Sequence, residues 1–269
     1  MASIPKKITE RIVSGLKKFQ PLLLSAKSRD VGEADTVTII KDMLNEIFGY
    51  DKYSEVTSEY AIRGTYCDLA IKLNGKLEIL LEVKAIGIEL KDNHVKQAID
   101  YAANEGIDFV ILTNGIIWQV YKVHFTKPID KELIVDLDLT NINSRNTSHL
   151  DKVFLLCKEG WLRSALTNYH VHQQALSRFF IGAVLQSEST LEVIRKELRR
   201  VTPDAKIDIE QIKTVLLNEV IKRDVLEGDK AVEATKKIAK ASSRLLRASI
   251  KPKTSNEVAL PNTTEHKQD

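Results

Sequence analysis

The run Leu77-Glu78-Ile79-Leu80-Leu81-Glu82-Val83-Lys84-Ala85-Ile86-Gly87 sets the strongest constraint on what this chain can become. Strand side chains alternate between two faces. Leu77, Ile79, Leu81 and Val83 therefore share one face, and Leu80, Glu82 and Lys84 share the other. A strand this apolar is normally central and covered on both sides. It nevertheless sets an acid beside a lysine on one of them.

The preceding segment, TYCDLAIKL, has the same build. Leu69, Ile71 and Leu73 form one face, and Asp68, Ala70 and Lys72 form the other. The turn between the two strands is Asn74-Gly75-Lys76. A two-residue loop would put the apolar faces out of phase. Only an odd loop or an equivalent bulge pairs 71 with 79 and 69 with 81. That register sets Asp68 beside Glu82, with Lys84 one step further along the same face.

Two carboxylates ~5 Å apart at Cβ in a half-buried sheet repel each other. A hard divalent cation resolves the conflict. Mg²⁺ takes oxygen ligands, accepts one or two carboxylates and keeps several waters. Such an ion orients a phosphate and lowers the pKa of a bound water, and Lys84 could position that water or stabilise the transition state. The competing reading is a salt-bridge ladder on an edge hairpin, with Asp68 or Glu82 paired to Lys84 and Lys72.

The surrounding pattern is mixed helix and strand. Residues 4–28 have helical spacing at Ile8, Ile12, Leu16 and Phe19, and a helix over 33–48 stops at Gly49. Strands follow near 55–62, 66–73 and 77–85, then a helix over 91–105. DFVILT and IIWQVYKV are joined by Asn114-Gly115, a hairpin signal, and ELIVDLDL closes the sheet. The order α-β-β-β-α-β-β-β predicts an α/β fold, a mixed sheet flanked by helices. A helical C-terminal region is expected over 146–248. The predicted divisions are a basic N-terminal helix at 1–29, the mixed domain at 30–140, the helical region, and a disordered tail at 249–269.

Composition narrows the class. With 43% hydrophobic and 29% charged residues, the chain reads as an ordinary globular protein. It has neither an apolar run long enough to span a membrane nor a secretory signal. Cys67 and Cys157 lack metal-type neighbours and read as reduced thiols in a cytoplasmic protein. Charge is uneven. Residues 1–29 carry seven Lys/Arg against one Glu, and residues 230–253 carry eight against one, around an acidic centre. Basic arms suit a polyanionic partner, although charge alone favours the plainer reading of solvated helix faces.

Further residues could complete a site. Gln97 and Tyr101 lie one turn apart, off the core face made by Val95, Ala98, Ile99 and Ala102, with His94 nearby. Glu33 opens the first helix of the mixed domain in phase with Val37, Ile40 and Leu44. It is either a site carboxylate or a plain acid at a helix N-terminus. Glu59 is a weaker alternative for the same role.

Glu33, Asp68, Glu82-Val83-Lys84 and Gln97-Ala98-Ile99-Asp100-Tyr101 together resemble the PD-(D/E)xK nuclease superfamily. They most resemble its QxxxY branch, which includes the N-terminal domain of type I restriction enzyme R subunits. The resemblance covers roughly residues 30–125 and implies a restriction-endonuclease-like fold. It implies that Asp68 and Glu82 ligate Mg²⁺, or Mn²⁺ in its place, with help from the Val83 carbonyl. Lys84 would serve the attacking water, Gln97 and Tyr101 would support the site and touch DNA, and Glu33 would be the helix carboxylate. One departure is Cys67, where the family pattern has proline. The chain has no G-x-x-x-x-G-K-[ST] loop, so as a nuclease it would be expected to stand alone or rely on a motor in trans. A homodimer, or a partner motor or specificity subunit, is the implied association.

In the helical region, His170-Val171-His172 has no carboxylate or thiol at ligand spacing. Lys236, Lys240, Arg244 and Arg247 form one helical stripe, opposite Val232, Ile238, Leu245 and Leu246, that could track phosphates. The expected function is a metal-dependent DNA endonuclease of restriction, phage defence or repair. The alternative is a non-catalytic nucleic-acid- or protein-binding module on the same fold.

Overall fold

A computed structural model describes residues 3–62 and 65–250, with the backbone alone at 62, 65 and 245–250. The chain forms two compact units that divide after His170. In the first, helices α1 (Lys6–Ser28) and α2 (Glu33–Glu46) precede strands β1 (Val56–Ile62), β2 (Thr65–Leu73) and β3 (Lys76–Val83). A 3-10 turn (Asp92–Val95) leads into α3 (Lys96–Glu105). Strands β4 (Phe109–Thr113), β5 (Ile117–His124) and β6 (Asp130–Asp138) follow, then α4 (Thr147–Phe154), α5 (Lys158–Leu162) and α6 (Ala165–Ala175), within which the division after His170 falls. The expected mixed sheet flanked by helices is therefore present.

The six strands lie in sequence order. Every neighbouring pair is antiparallel except β3 and β4, which are parallel and joined by α3. This crossover places β3 at the centre, which explains its apolar sequence. The β2–β3 hairpin solves its phase problem with a bulge. Leu73 pairs with Lys76 across Asn74-Gly75, and the register then shifts between Ile71 and Lys72, restoring Ile71 opposite Ile79 and Leu69 opposite Leu81. Asn74 and Gly75 both have positive φ, 52° and 78°, the backbone that a tight two-residue hairpin turn requires.

Each sheet face has its own core. On one face, α1 and α2 bring Ile12, Leu16, Phe19, Ile40, Met43 and Leu44 against Leu69, Ile71, Ile79, Leu81 and Val83. Leu150, Val153, Phe154 and Leu166 join the same core. On the other face, Val95, Ala98, Ile99 and Ala102 pack over Ala70, Leu80, Val110 and Leu112. The core residues expected of α3 are thus the buried ones. The expected helix at 33–48 ends at Glu46, and Gly49 turns the chain with φ 82°. Strand β3 ends at Val83, so Lys84 lies just past it.

The second unit is helical: α7 (Arg178–Leu185), α8 (Glu188–Val201), α9 (Ile209–Val215), α10 (Arg223–Leu226) and α11 (Asp229–Ile250). The seam of α11 differs from the expected stripe. Ala231 and Ala234 are buried, whereas Val232 is 50% exposed. Residues three apart face the same way on a helix, and Val232 falls outside that pair. Leu245, Leu246 and Arg247 lie outside the residues whose side chains are described, and residues 251–269 of the expected tail lie outside the described residues altogether.

Gly160 gives a direct test of core tightness. A Cβ at this position would sit 2.1 Å from the Phe154 carbonyl oxygen, so backbone must move. Gly160→Ala is expected to destabilise the protein by about 2 kcal/mol, the cost of overpacking, measured by urea unfolding.

Candidate active site at the end of strand β3

The site begins where the β2–β3 ladder opens. Among the described residues, its last backbone pair is Leu69 with Leu81. Past this pair, the N–H of Val83, two residues beyond Leu81, donates to Oδ2 of Asp68, the neighbour of Leu69, at 2.7 Å. A side-chain carboxylate thus takes the place of a strand carbonyl. Beyond this point β3 keeps its other neighbour, since the Lys84 N–H donates to the Thr113 carbonyl at 2.9 Å.

A second irregularity lies across β2 on β1. Their ladder passes from Ser58–Leu69 directly to Tyr60–Cys67, and Glu59 between them has φ 48°. Leu69 belongs to the core on the α2 side, whereas Cys67, two residues away, belongs to the core on the α3 side. Both strands therefore exchange faces at Glu59 and Asp68. Strict alternation would have put Cys67 with Leu69. Burial pushes the Cys67 thiol up to about 12, so it is an inert packing group.

Lys84 organises the charges. Its ammonium donates to Glu82 Oε1 at 2.8 Å and lies 3.7 Å from Glu33 Oε2. The Lys84 and Glu82 side chains are mostly buried, while Glu33 is half exposed. Helix α2 delivers Glu33 to this position through a buried threonine. The Thr36 hydroxyl donates to the Gly32 carbonyl at 2.8 Å and accepts the Ile86 N–H at 3.2 Å, fixing the helix N-terminus beside the loop after Lys84. Sequence pattern alone does not single out Thr36. Its signal is a polar residue one turn before the buried Ile40.

Three carboxylates, Glu33, Asp68 and Glu82, surround one ammonium. Burial pushes the Glu82 carboxyl above the ordinary glutamate range, Lys84 pulls it back, and the charges of Asp68 and Glu33 push it up again. Burial alone would lower the Lys84 pKa, but its hydrogen bond to Glu82 and the fields of Glu82, Glu33 and Asp68 outweigh this, and the net direction is up.

The structure thus brings Glu33, Asp68, Glu82 and Lys84 together. Gln97 and Tyr101 form a separate feature. Gln97 Nε2 donates to Tyr101 Oη at 3.1 Å, and the two line a shallow depression of about 330 Å³ with Asn93, Lys96 and Asp100. Tyr101 packs against the core that holds Ala70 and Leu80. Among the described residues, no hydrogen bond or ion pair links Gln97 or Tyr101 to Lys84 or the three acids. Glu59 is exposed and does not join the cluster. His170 meets a carboxylate that sequence spacing could not show: its Nε2 lies 3.0 Å from Glu132 Oε2, and His124 lies 3.4 Å from the same oxygen. Among the described residues, no three His, Cys, Asp or Glu side chains form a metal-holding group.

A family model described as the type I restriction enzyme R protein N terminus matches residues 39–136. This part of the chain, a little over a third of it, is similar to that N-terminal domain. The span contains Asp68, Glu82, Lys84, Gln97 and Tyr101 and leaves out Glu33. Neither the curated proteins nor the solved structures include one that matches the chain. No helix among the described residues is long and apolar enough to cross a membrane.

The charge balance sets a measurable sign. Because folding raises the Glu82 pKa, its ionisation opposes folding as pH rises through that value. By carboxyl ¹³C NMR, Glu82 is expected to titrate above ordinary glutamate. Asp68→Asn is expected to bring it partly down, leaving the part due to burial and to the Glu33 charge. An unchanged Glu82 titration in that variant would show that the two carboxylates do not interact.

Proposed function

We propose that this protein is a metal-dependent deoxyribonuclease that hydrolyses phosphodiester bonds in restriction, phage defence or repair. The observation that carries this reading is the Lys84 ammonium held between Glu82 and Glu33, with Asp68 coupled to it, inside or beside the segment similar to a restriction-enzyme domain. Structural salt-bridge ladders balance their charges. This cluster leaves negative charge in excess in a partly buried position, and a divalent cation answers that excess.

Asp68 and Glu82, with the Val83 carbonyl, are the residues that would hold Mg²⁺, with Mn²⁺ able to substitute. Two carboxylates and a main-chain oxygen leave positions for water, as Mg²⁺ prefers. When bound, the metal supplies Lewis-acid stabilisation of charge on the phosphate oxygens. The Val83 N–H holds one Asp68 oxygen, which fixes how the carboxylate is presented. Lys84 keeps its proton, as its raised pKa requires, and so acts by donating hydrogen bonds to the attacking water or to the phosphate. Glu33 steadies the ammonium from the helix side. Gln97 and Tyr101 would contact DNA through their shared depression.

The helical unit offers a phosphate-tracking face. Lys236, Lys240 and Arg244 are exposed along one stripe of α11. Lys237, on a neighbouring stripe, is paired to Glu233 at 2.7 Å. The expected partners are DNA and either a second copy or a motor or specificity subunit.

With Mg²⁺ or Mn²⁺ and plasmid, linear and single-stranded DNA, Lys84→Ala and Asp68→Ala are each expected to lose at least about 100-fold in cleavage rate. Chelation should abolish cleavage by the unmodified protein. Undiminished cleavage by both variants would assign the activity elsewhere. Replacing Lys236, Lys240 and Arg244 together with Gln is expected to reduce the slope of log affinity against log salt by about 2.7 for duplex DNA. An unaltered slope would show that this face does not bind DNA.

A further inference from the structure

At the site end of the β1–β2 ribbon, one aromatic ring is left bare. Tyr66 is 64% exposed and lies two residues from Asp68 on β2. Its direction follows from the exchange of faces at Glu59 and Asp68. The pair Tyr60–Cys67 faces the α3-side core. The next pair, Ala61–Tyr66, therefore faces the α2 side.

Its level follows from a contact lower down. The Lys41 ammonium on α2 meets Ser58 Oγ on β1 at 3.1 Å. Tyr66 pairs with Ala61, three residues beyond Ser58, or ~10 Å along the ribbon. Glu33 precedes Lys41 by eight residues, or ~12 Å along α2. Both displacements lead toward the end of β3, where Asp68 meets Val83 and Glu33 meets Lys84. The phenol ring is thus level with the Glu33–Lys84 pair, on the same side of the sheet. Among the described residues, no hydrogen bond engages its hydroxyl and no cation covers its ring. Tyr53 differs. It is 88% exposed, but the Lys52 ammonium lies over it, 5.4 Å from the centroid, and it precedes β1 at the far end of the ribbon.

An uncovered ring beside a phosphodiester-cleaving centre is a platform for stacking a base. In a duplex the base faces are already covered by their neighbours, so only an unpaired base can use it. We propose that Tyr66 stacks on an unpaired base next to the scissile phosphate, making single-stranded or locally opened DNA the preferred substrate. This rests on the nuclease reading above and names its substrate.

The test is fluorescence anisotropy with the full chain in the absence of divalent metal, using a labelled oligothymidylate and a blunt duplex. Tyr66→Ala is expected to weaken oligothymidylate binding about tenfold and duplex binding by less than about twofold. Tyr66→Phe should keep wild-type affinity, and so should Tyr53→Ala. Wild-type binding of oligothymidylate by Tyr66→Ala, or equal losses on both DNAs, would overturn the proposal. Stacking is read here without cleavage. Cleavage that survives Lys84→Ala would therefore sink the nuclease reading and leave this measurement standing.

Discussion

One hydrogen bond, from the Val83 N–H to Asp68, decides where the β2–β3 ladder stops and the site starts. An ordinary antiparallel pair would continue with main-chain acceptors. The carboxylate substitutes for one and is thereby fixed in place on a rigid strand. The same bond satisfies a buried N–H that opening the ladder would otherwise orphan. Site geometry and sheet integrity therefore depend on one side chain.

Around that bond two layers of the unit, the sheet and the α1–α2 layer, converge. Asp68 and Glu82 come from the sheet, while Glu33 arrives from α2, whose N-terminus Thr36 ties to Ile86. Lys84 is held by groups of both layers. Displacing α2 would remove one of its two anionic contacts and uncover the sheet core that α2 packs on. This makes α1 and α2, whose apolar faces fill one core, part of what orients the ammonium.

Much of this was legible in the residues. The apolar run interrupted by Glu82 and Lys84 identifies a central strand with chemistry at its end, and phase matching requires either an odd loop or a bulge in the hairpin, of which the bulge, at Ile71 and Lys72, is the one that occurs. Glu33 was legible as a residue that leans inward, though not that it would reach Lys84. The face exchange at Glu59 and Asp68 was not legible, because alternation assumes regular φ and ψ and a left-handed glutamate violates it. The relation of Gln97 and Tyr101 to the acids depends on how α3 lies across the sheet, which helical spacing does not determine. On α11, two small alanines form the buried seam, and a pattern keyed to large apolar residues placed Val232 there instead.

The left-handed Glu59 has a consequence beyond the site. Strand β1 is an outer strand of the sheet, and its free edge is a template on which a second molecule could add. A kink in mid-strand, carrying an exposed acid, breaks the row of donors and acceptors that such an addition needs. The distortion that turns Tyr66 to the α2 side thereby also guards the protein against edge-to-edge aggregation.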